Sequence, residues 1–353
     1  MQQKRKSYIL LNVALIRPLL IVLLVFYHAF APYSGAWVPI DGFHEVKAYW
    51  WLDKLSYAFM LEMFVFISGY VFGYQVRTKG KSKLLAKKLF HGKFKRLIVP
   101  SMIFSLLYII LFQNICQPVT STIYDVINGV GHMWFLPMLF WCFVGVWLVE
   151  KISINNFVVL IGLLILALVP LVGLPLRLTE TTYYLFFFYA GYLIQRDGMS
   201  LNKLECPKAT LAFVLMFVVL FPSLTMLREN ATALTGGVKN WLTAKILSGL
   251  ILRACKVVYS AIGIAMTLSV VRLYTSKHDG GFPPCVISIG SLCMGIYLFQ
   301  QFVLKGIYNT PKMVSYIGEY LLPWIGFFVA LIVSLLLSWL LSKSKIGRFC
   351  TGS

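Results

Sequence analysis

Charge is scarce in this sequence, and acid is scarcer still. Asp, Glu, Lys and Arg make up 12% of 353 residues, and Asp plus Glu number only 12. A soluble domain is roughly a quarter charged and needs that share to cover its surface, so the shortage excludes an ordinary soluble protein. The seven cysteines, at 116, 142, 206, 255, 285, 293 and 350, form no CxxC pair and no Cys/His grouping with metal spacing. That pattern supports neither a disulfide framework nor a zinc site, and the cysteines read as small hydrophobes. Low-complexity linkers, internal repeats and alternating apolar patterning are missing too, and the last absence sets aside a transmembrane β-barrel. No small-x-small cleavage site follows the basic start Lys4-Arg5-Lys6 and its long apolar stretch. That stretch therefore reads as a retained first span.

What is present is apolar surface. The chain is 59% hydrophobic, with mean hydropathy +0.80, and runs of about 20 residues with few charges recur along it, the length that crosses a bilayer core. The reading is an all-α integral membrane protein, a single polytopic domain over 1–353. About ten transmembrane helices are predicted, near 8–31, 57–75, 97–114, 132–150, 157–175, 182–195, 209–227, 250–271, 286–305 and 321–342. The aromatic residues, 16% of the chain, fit interfacial belts and lipid-facing packing.

The net charge of +20 sits mostly in short connections, so its plain meaning is topological. Nucleic-acid binding is not expected, because the basic residues do not line one folded face with interleaved aromatics. With the N-terminus inside, cytoplasmic connections carry 21 of the 32 Lys and Arg, against 10 on the opposite side. Both termini are then predicted to be cytoplasmic. The connection 77–96 decides the count, with Lys79, Lys81, Lys83, Lys87, Lys88, Lys93 and Lys95 crowded into it, and it also suits lipid headgroups. One region fits poorly: Arg228, Lys239, Lys245, Arg253 and Lys256 fall on the outer side or just within the eighth span.

Ionisable residues at membrane depth cost several kcal/mol unless paired or facing an internal cavity. Four stand out: Arg17, His28, Glu62 and, near a boundary, His132. Arg17 and His28 are eleven positions apart on the first span, nearly three full turns. They share a face about 16 Å apart along the axis. Glu62 begins the second span from the outside, at the depth of His28. A carboxylate beside an imidazole fixes its tautomer and stabilises imidazolium, the arrangement of a general base. His132 opens the fourth span and reaches the same layer. Each has a structural alternative: Arg17 on lipid phosphate, His28 and His132 as satisfied or interfacial histidines, Glu62 in a structural ion pair.

Four stretches carry a family likeness. They are Arg17-Pro18 through Tyr27-His28, Glu62-Met63-Phe64-Val65-Phe66-Ile67-Ser68-Gly69-Tyr70, Lys93-Phe94-Lys95-Arg96 through Pro100, and His132-Met133-Trp134-Phe135-Leu136. In these the sequence resembles the acyltransferase-3 family of membrane-bound O-acyltransferases, which modify cell-surface carbohydrates. Two departures stand out. Lys93 replaces the family's usual Arg, which weakens bidentate phosphate recognition. Gln300-Gln301 follows Gly295-Ile296-Tyr297-Leu298-Phe299 where many members carry His, which puts an acid/base role there in doubt.

The resemblance implies transfer of an acyl group, most often acetyl, from cytosolic acyl-CoA to a hydroxyl of a cell-surface or lipid-linked glycan. Acetyl-CoA is then a co-substrate, and no bound cofactor or metal is implied. His28 would act as base or carry the acyl group covalently between two half-reactions, oriented by Glu62, with Arg17 balancing charge on the donor or the oxyanion. Lys93, Lys95, Arg96, His132 and Trp134 would contact donor or acceptor, Trp134 by stacking on a sugar. A bacterial inner membrane follows from the likeness, membrane lipids are partners, and homodimerisation stays open. The rival reading is a multi-span transporter or flippase, since buried Arg, His and Glu also mark substrate paths. Against it, paired broken spans and a repeated half are missing.

Overall fold

Every regular element among the described residues is helical, as the continuous apolar runs require. The computed structural model describes residues 2–41, 43–80, 85–113, 118–152, 154–171, 173–277 and 284–352, with side chains from residue 13 except those of 284, 285 and 287. Lys81 and Lys83 of the basic connection lie outside the described residues. In chain order the helices are α1 (Gln2–Ser34), α2 (Lys47–Tyr57), α3 (Met60–Lys79), α4 (Ala86–Lys93), α5 (Val99–Phe112), α6 (Val119–Asn128), α7 (Phe135–Ile152) and α8 (Asn156–Leu168). They continue as α9 (Leu178–Arg196), α10 (Pro207–Glu229), α11 (Ala231–Leu234), α12 (Trp241–Lys277), α13 (Pro284–Tyr308), α14 (Pro311–Ile317), α15 (Leu322–Ser342) and α16 (Lys345–Thr351).

Among the described residues seven helical stretches are long and apolar enough to cross a membrane. They are Val13–Ser34, Lys47–Lys79, Ala86–Phe112, Gly131–Ile152, Pro207–Glu229, Trp241–Lys277 and Leu322–Ser342. The fifth, sixth and ninth expected spans fall outside this set. Helix α8, at 13 residues, reaches about 20 Å, short of a hydrocarbon core of about 30 Å. Helix α9 is long enough but opens with Leu178-Thr179-Glu180-Thr181-Thr182, which lowers its hydropathy. Helix α13 covers the ninth expected span at 25 residues.

The chain forms two compact units from interleaved segments: Met1–Val13, Ala58–His91 and Met138–Gly281 in one, Ala14–Tyr57, Gly92–Pro137 and Phe282–Ser353 in the other. No single cut in the sequence separates them.

In the first unit, α3 and α9 pack with their backbones almost touching. A Cβ at Gly69 would strike the carbonyl of Phe188, one at Gly73 the carbonyl of Tyr192, and one at Gly191 the carbonyl of Phe66. Gly69 and Gly73 make a G-x-x-x-G step, the device by which apolar helices approach closely in lipid. Helix α10 packs on α12 and turns Leu215, Val218 and Val219 outward, as a lipid-facing surface should.

In the second unit, α13 packs along α15, where Gly295 admits Ser338 at a distance no larger side chain would allow. Phe26 and Phe30 of α1 meet Trp324 edge-on, and Phe26 also meets Phe327. Aromatic pairs of this kind add about 0.5–1.5 kcal/mol beyond burial. Pro18 lies inside α1 without ending it.

Candidate active site

The second unit gathers the two expected histidines. His28 projects from α1, with 6% of its surface exposed. His132 sits in a single 3-10 turn, Gly131–Trp134, ahead of α7. That turn depends on glycine twice. Gly129 and Gly131 have φ of +79° and +56°, the left-handed region open to residues without a Cβ, and a Cβ at Gly131 would lie 2.8 Å from Gln301 Oε1. The two imidazole centroids are 6.0 Å apart, edge to face.

Helix α13 supplies the partners. Tyr297, Gln300 and Gln301 stand at i, i+3 and i+4 and so share a face. Gln300 Oε1 is 3.0 Å from His28 Nδ1. An amide oxygen can only accept, so Nδ1 carries the proton and Nε2 carries the lone pair. Among the described residues His28 Nε2 has no hydrogen-bond partner. His132 differs. Its Nδ1 donates to Gln301 Oε1, which also accepts the His132 backbone N–H at 3.1 Å. Its Nε2 lies 3.3 Å from the Leu298 carbonyl, and its own carbonyl accepts the Tyr297 hydroxyl. With its proton on Nδ1, His132 turns its Nε2 lone pair toward a carbonyl oxygen rather than toward open space. His28 is the histidine with a lone pair to use.

Beyond His28 the chain turns back over it. Trp37 stacks on the imidazole at 5.8 Å and 21°, and Lys305 Nζ lies 4.3 Å from the Trp37 ring centroid, a cation–π contact. Pro32, one turn after His28 and about 6 Å along the axis, begins the lining of an open cleft of about 330 Å³ that includes Tyr33, Phe43, His44, Glu45 and Trp50. Glu319 fastens this loop. Its Oε2 accepts the His44 N–H at 2.8 Å and lies 3.2 Å from His44 Nδ1, while its carbonyl accepts the Tyr33 hydroxyl. The His44 N–H, then its imidazole, hold the Glu319 carboxyl below the usual carboxylate range.

The other predicted residues are placed as follows. Arg17 is on the exposed surface of α1, whereas His28 is buried. A π-helical turn, Phe94–Ile98, links α4 to α5, and such turns cluster at functional sites. It carries Lys95, whose Nζ lies 5.3 Å from the Phe349 ring centroid, and Arg96, whose Nε donates to the Gly352 carbonyl at 3.0 Å. Lys93 is half-buried just before it, and Trp134 is half-buried beside Phe135, 6.1 Å between centroids.

Glu62 belongs to the first unit and is fully buried. Its Oε1 accepts the Tyr183 hydroxyl at 3.0 Å and lies 3.4 Å from Lys256 Nζ. Lys256 also donates to the Ala58 carbonyl at 2.8 Å, which the short break before α3 releases from helical bonding. Glu62 Oε2 is buried without a hydrogen bond. Lys256, the misfit of the eighth span, is thus the counter-charge of Glu62. The nearby Arg228 donates to the Tyr259 hydroxyl at 3.2 Å and Arg253 to the Ala167 carbonyl at 3.3 Å.

A family model described as an acyltransferase domain matches residues 10–343. The chain belongs to the acyltransferase-3 family. It is accordingly a multi-pass membrane acyltransferase, and the match runs through both structural units. Neither the curated proteins nor the solved structures contain a match. Within this acyltransferase-3 member, sequence reasoning missed Gln300, Gln301 and Tyr297 as site residues, although their i, i+3, i+4 spacing in an apolar helix was a usable signal. It missed the Glu319 clasp as well, for which the sequence offers no local sign.

Proposed function

We propose that this chain, in a bacterial inner membrane, moves an acyl group, the small acetyl group, from cytosolic acyl-CoA to a hydroxyl of a cell-surface or lipid-linked glycan. The observation that carries the reading is the His28–Gln300 pair: a buried imidazole with its Nδ1 proton committed and its Nε2 lone pair open. Such a base removes the acceptor's proton as the oxygen attacks the thioester carbonyl. The C–O bond forms, the C–S bond breaks, and His28 returns the proton to the departing thiolate. General base assistance of this kind contributes about 10²–10⁴-fold.

The remaining residues fit the same path. With both termini cytoplasmic, Lys93, Lys95 and Arg96 meet the polyanionic end of the donor, and Arg17 balances its charge below His28. The cleft at Tyr33, Phe43, Glu45 and Trp50 admits the sugar, where aromatic faces and a carboxylate suit a polyol. His132 and Trp134 shape the wall of the site. The orienting contact expected from Glu62 is assigned here to Gln300, and Glu62 is read as a buried charge that holds its own unit together.

The test is transfer of labelled acetyl from acetyl-CoA by the purified protein in proteoliposomes, together with mass spectrometry of surface glycans from cells with and without the gene. Loss of one acetyl increment from a glycan, and loss of transfer in His28→Ala with donor binding kept, support the reading. Unchanged glycans and unchanged transfer in His28→Ala discard it.

A further inference from the structure

Resting on that reading, we infer that Gln300 has a second role: its amide nitrogen is the hydrogen-bond donor that holds the acyl carbonyl oxygen and the negative charge developing on it. Gln300 is wholly buried, and its two ends are treated differently. Oε1 is engaged with His28 Nδ1 at 3.0 Å, whereas Nε2 is buried with no hydrogen-bond partner. Buried donors without partners are rare and costly, and each calls for an explanation. The neighbouring Gln301 follows the ordinary rule, with its oxygen taken by two donors of His132.

Covalent geometry ties this donor to the base. The amide nitrogen and oxygen share one planar group, so Nε2 stands within roughly 5 Å of the imidazole. A hydroxyl on His28 Nε2 and a thioester carbonyl on Gln300 Nε2 span such a gap. A carboxylate here could accept from His28 but could not donate to a carbonyl. An amide does both at once and stays neutral. The glutamine that stands in place of histidine is therefore suited to the reaction. A donor already fixed in a water-poor site needs no reorganisation as charge builds, which is the basis of oxyanion stabilisation.

The experiment compares wild type with Gln300→Met and Gln300→Glu in proteoliposomes. It uses acetyl-CoA and a dithioester analogue in which sulfur, a poor acceptor, replaces the carbonyl oxygen. Melting temperature and binding of a thioether analogue of the donor check folding. Gln300→Met should lower kcat on acetyl-CoA by about 10²–10³-fold with donor binding kept, and lose much less on the dithioester. Gln300→Glu keeps the acceptor and loses the donor. It should therefore remain slow at its own optimum, with the acidic limb of its rate profile moved to higher pH. Equal losses of Gln300→Met on both donors, or a kcat within about threefold of wild type, overturn the inference while leaving the acyl-CoA reading intact. A wild type that turns over neither donor overturns that reading and this inference together.

Discussion

The two structural units each bury a polar cluster, and they satisfy it in opposite ways. In the first, Glu62 is met by an ammonium and a phenol, Lys256 and Tyr183. In the second, His28 and His132 are met by amides, Gln300 and Gln301. A buried carboxylate needs a counter-charge because desolvation is severe, and Lys256 and Tyr183 both meet Glu62 at Oε1, leaving Oε2 without a hydrogen bond. A neutral imidazole needs only an acceptor for its N–H, and that bond leaves the other nitrogen reactive. Burial marks where polar groups matter. The kind of partner says what they do.

Four predictions probe that contrast, the largest effect first. His28→Ala should lower acyl transfer by about 10²–10⁴-fold with melting temperature nearly unchanged, checked by kcat and thermal unfolding in the same lipid. Glu62→Ala should act on stability instead, because it leaves the Lys256 ammonium buried without its counter-charge. A cost of about 3–5 kcal/mol is expected from such truncations, read by denaturant unfolding. The paired change Glu62→Leu with Lys256→Met should recover most of it. If the single and double variants unfold alike, Glu62 and Lys256 are not coupled and the contrast breaks. Tyr183→Phe removes one hydrogen bond to that carboxylate and should cost about 1.5–3 kcal/mol without altering transfer.

The smallest effect concerns the loop over the cleft. Glu319 has a depressed pKa in the folded protein, so its contribution to docking the loop is present above the ordinary carboxylate value, about 4.3. It is lost as pH falls through the lower folded-state value. Tryptic cleavage after Lys47 or an equivalent probe of loop opening should therefore rise at acid pH in the wild type. In Glu319→Gln it should be raised throughout and insensitive to that range.

The sequence showed the elements of this contrast unevenly. His28, His132 and Glu62 stood out because ionisable side chains are conspicuous in apolar runs. Lys256 was visible only as a residue in the wrong place, since its meaning depends on Glu62, nearly 200 positions away. Gln300 and Gln301 were legible as a departure from a family histidine and not as partners, because amides carry no charge to betray a contact made across 272 positions. The long apolar helices were readable from their runs, whereas the short helices α4, α6, α11, α14 and α16 lie outside every expected span and α2 meets one only at Tyr57. Span number was not readable, since α8 is apolar yet only 13 residues long and α9 is long yet polar at its start.

His28, with its open Nε2, is the proposed base, whereas the Nε2 lone pair of His132 faces the Leu298 carbonyl. The most direct measurement is single-turnover transfer from saturating labelled acetyl-CoA by His28→Ala and His132→Ala proteins in the same proteoliposomes. The account predicts a loss of at least about 10²-fold for His28→Ala and a far smaller one for His132→Ala, with donor binding kept in both. Equal losses, or the larger loss in His132→Ala, would contradict it.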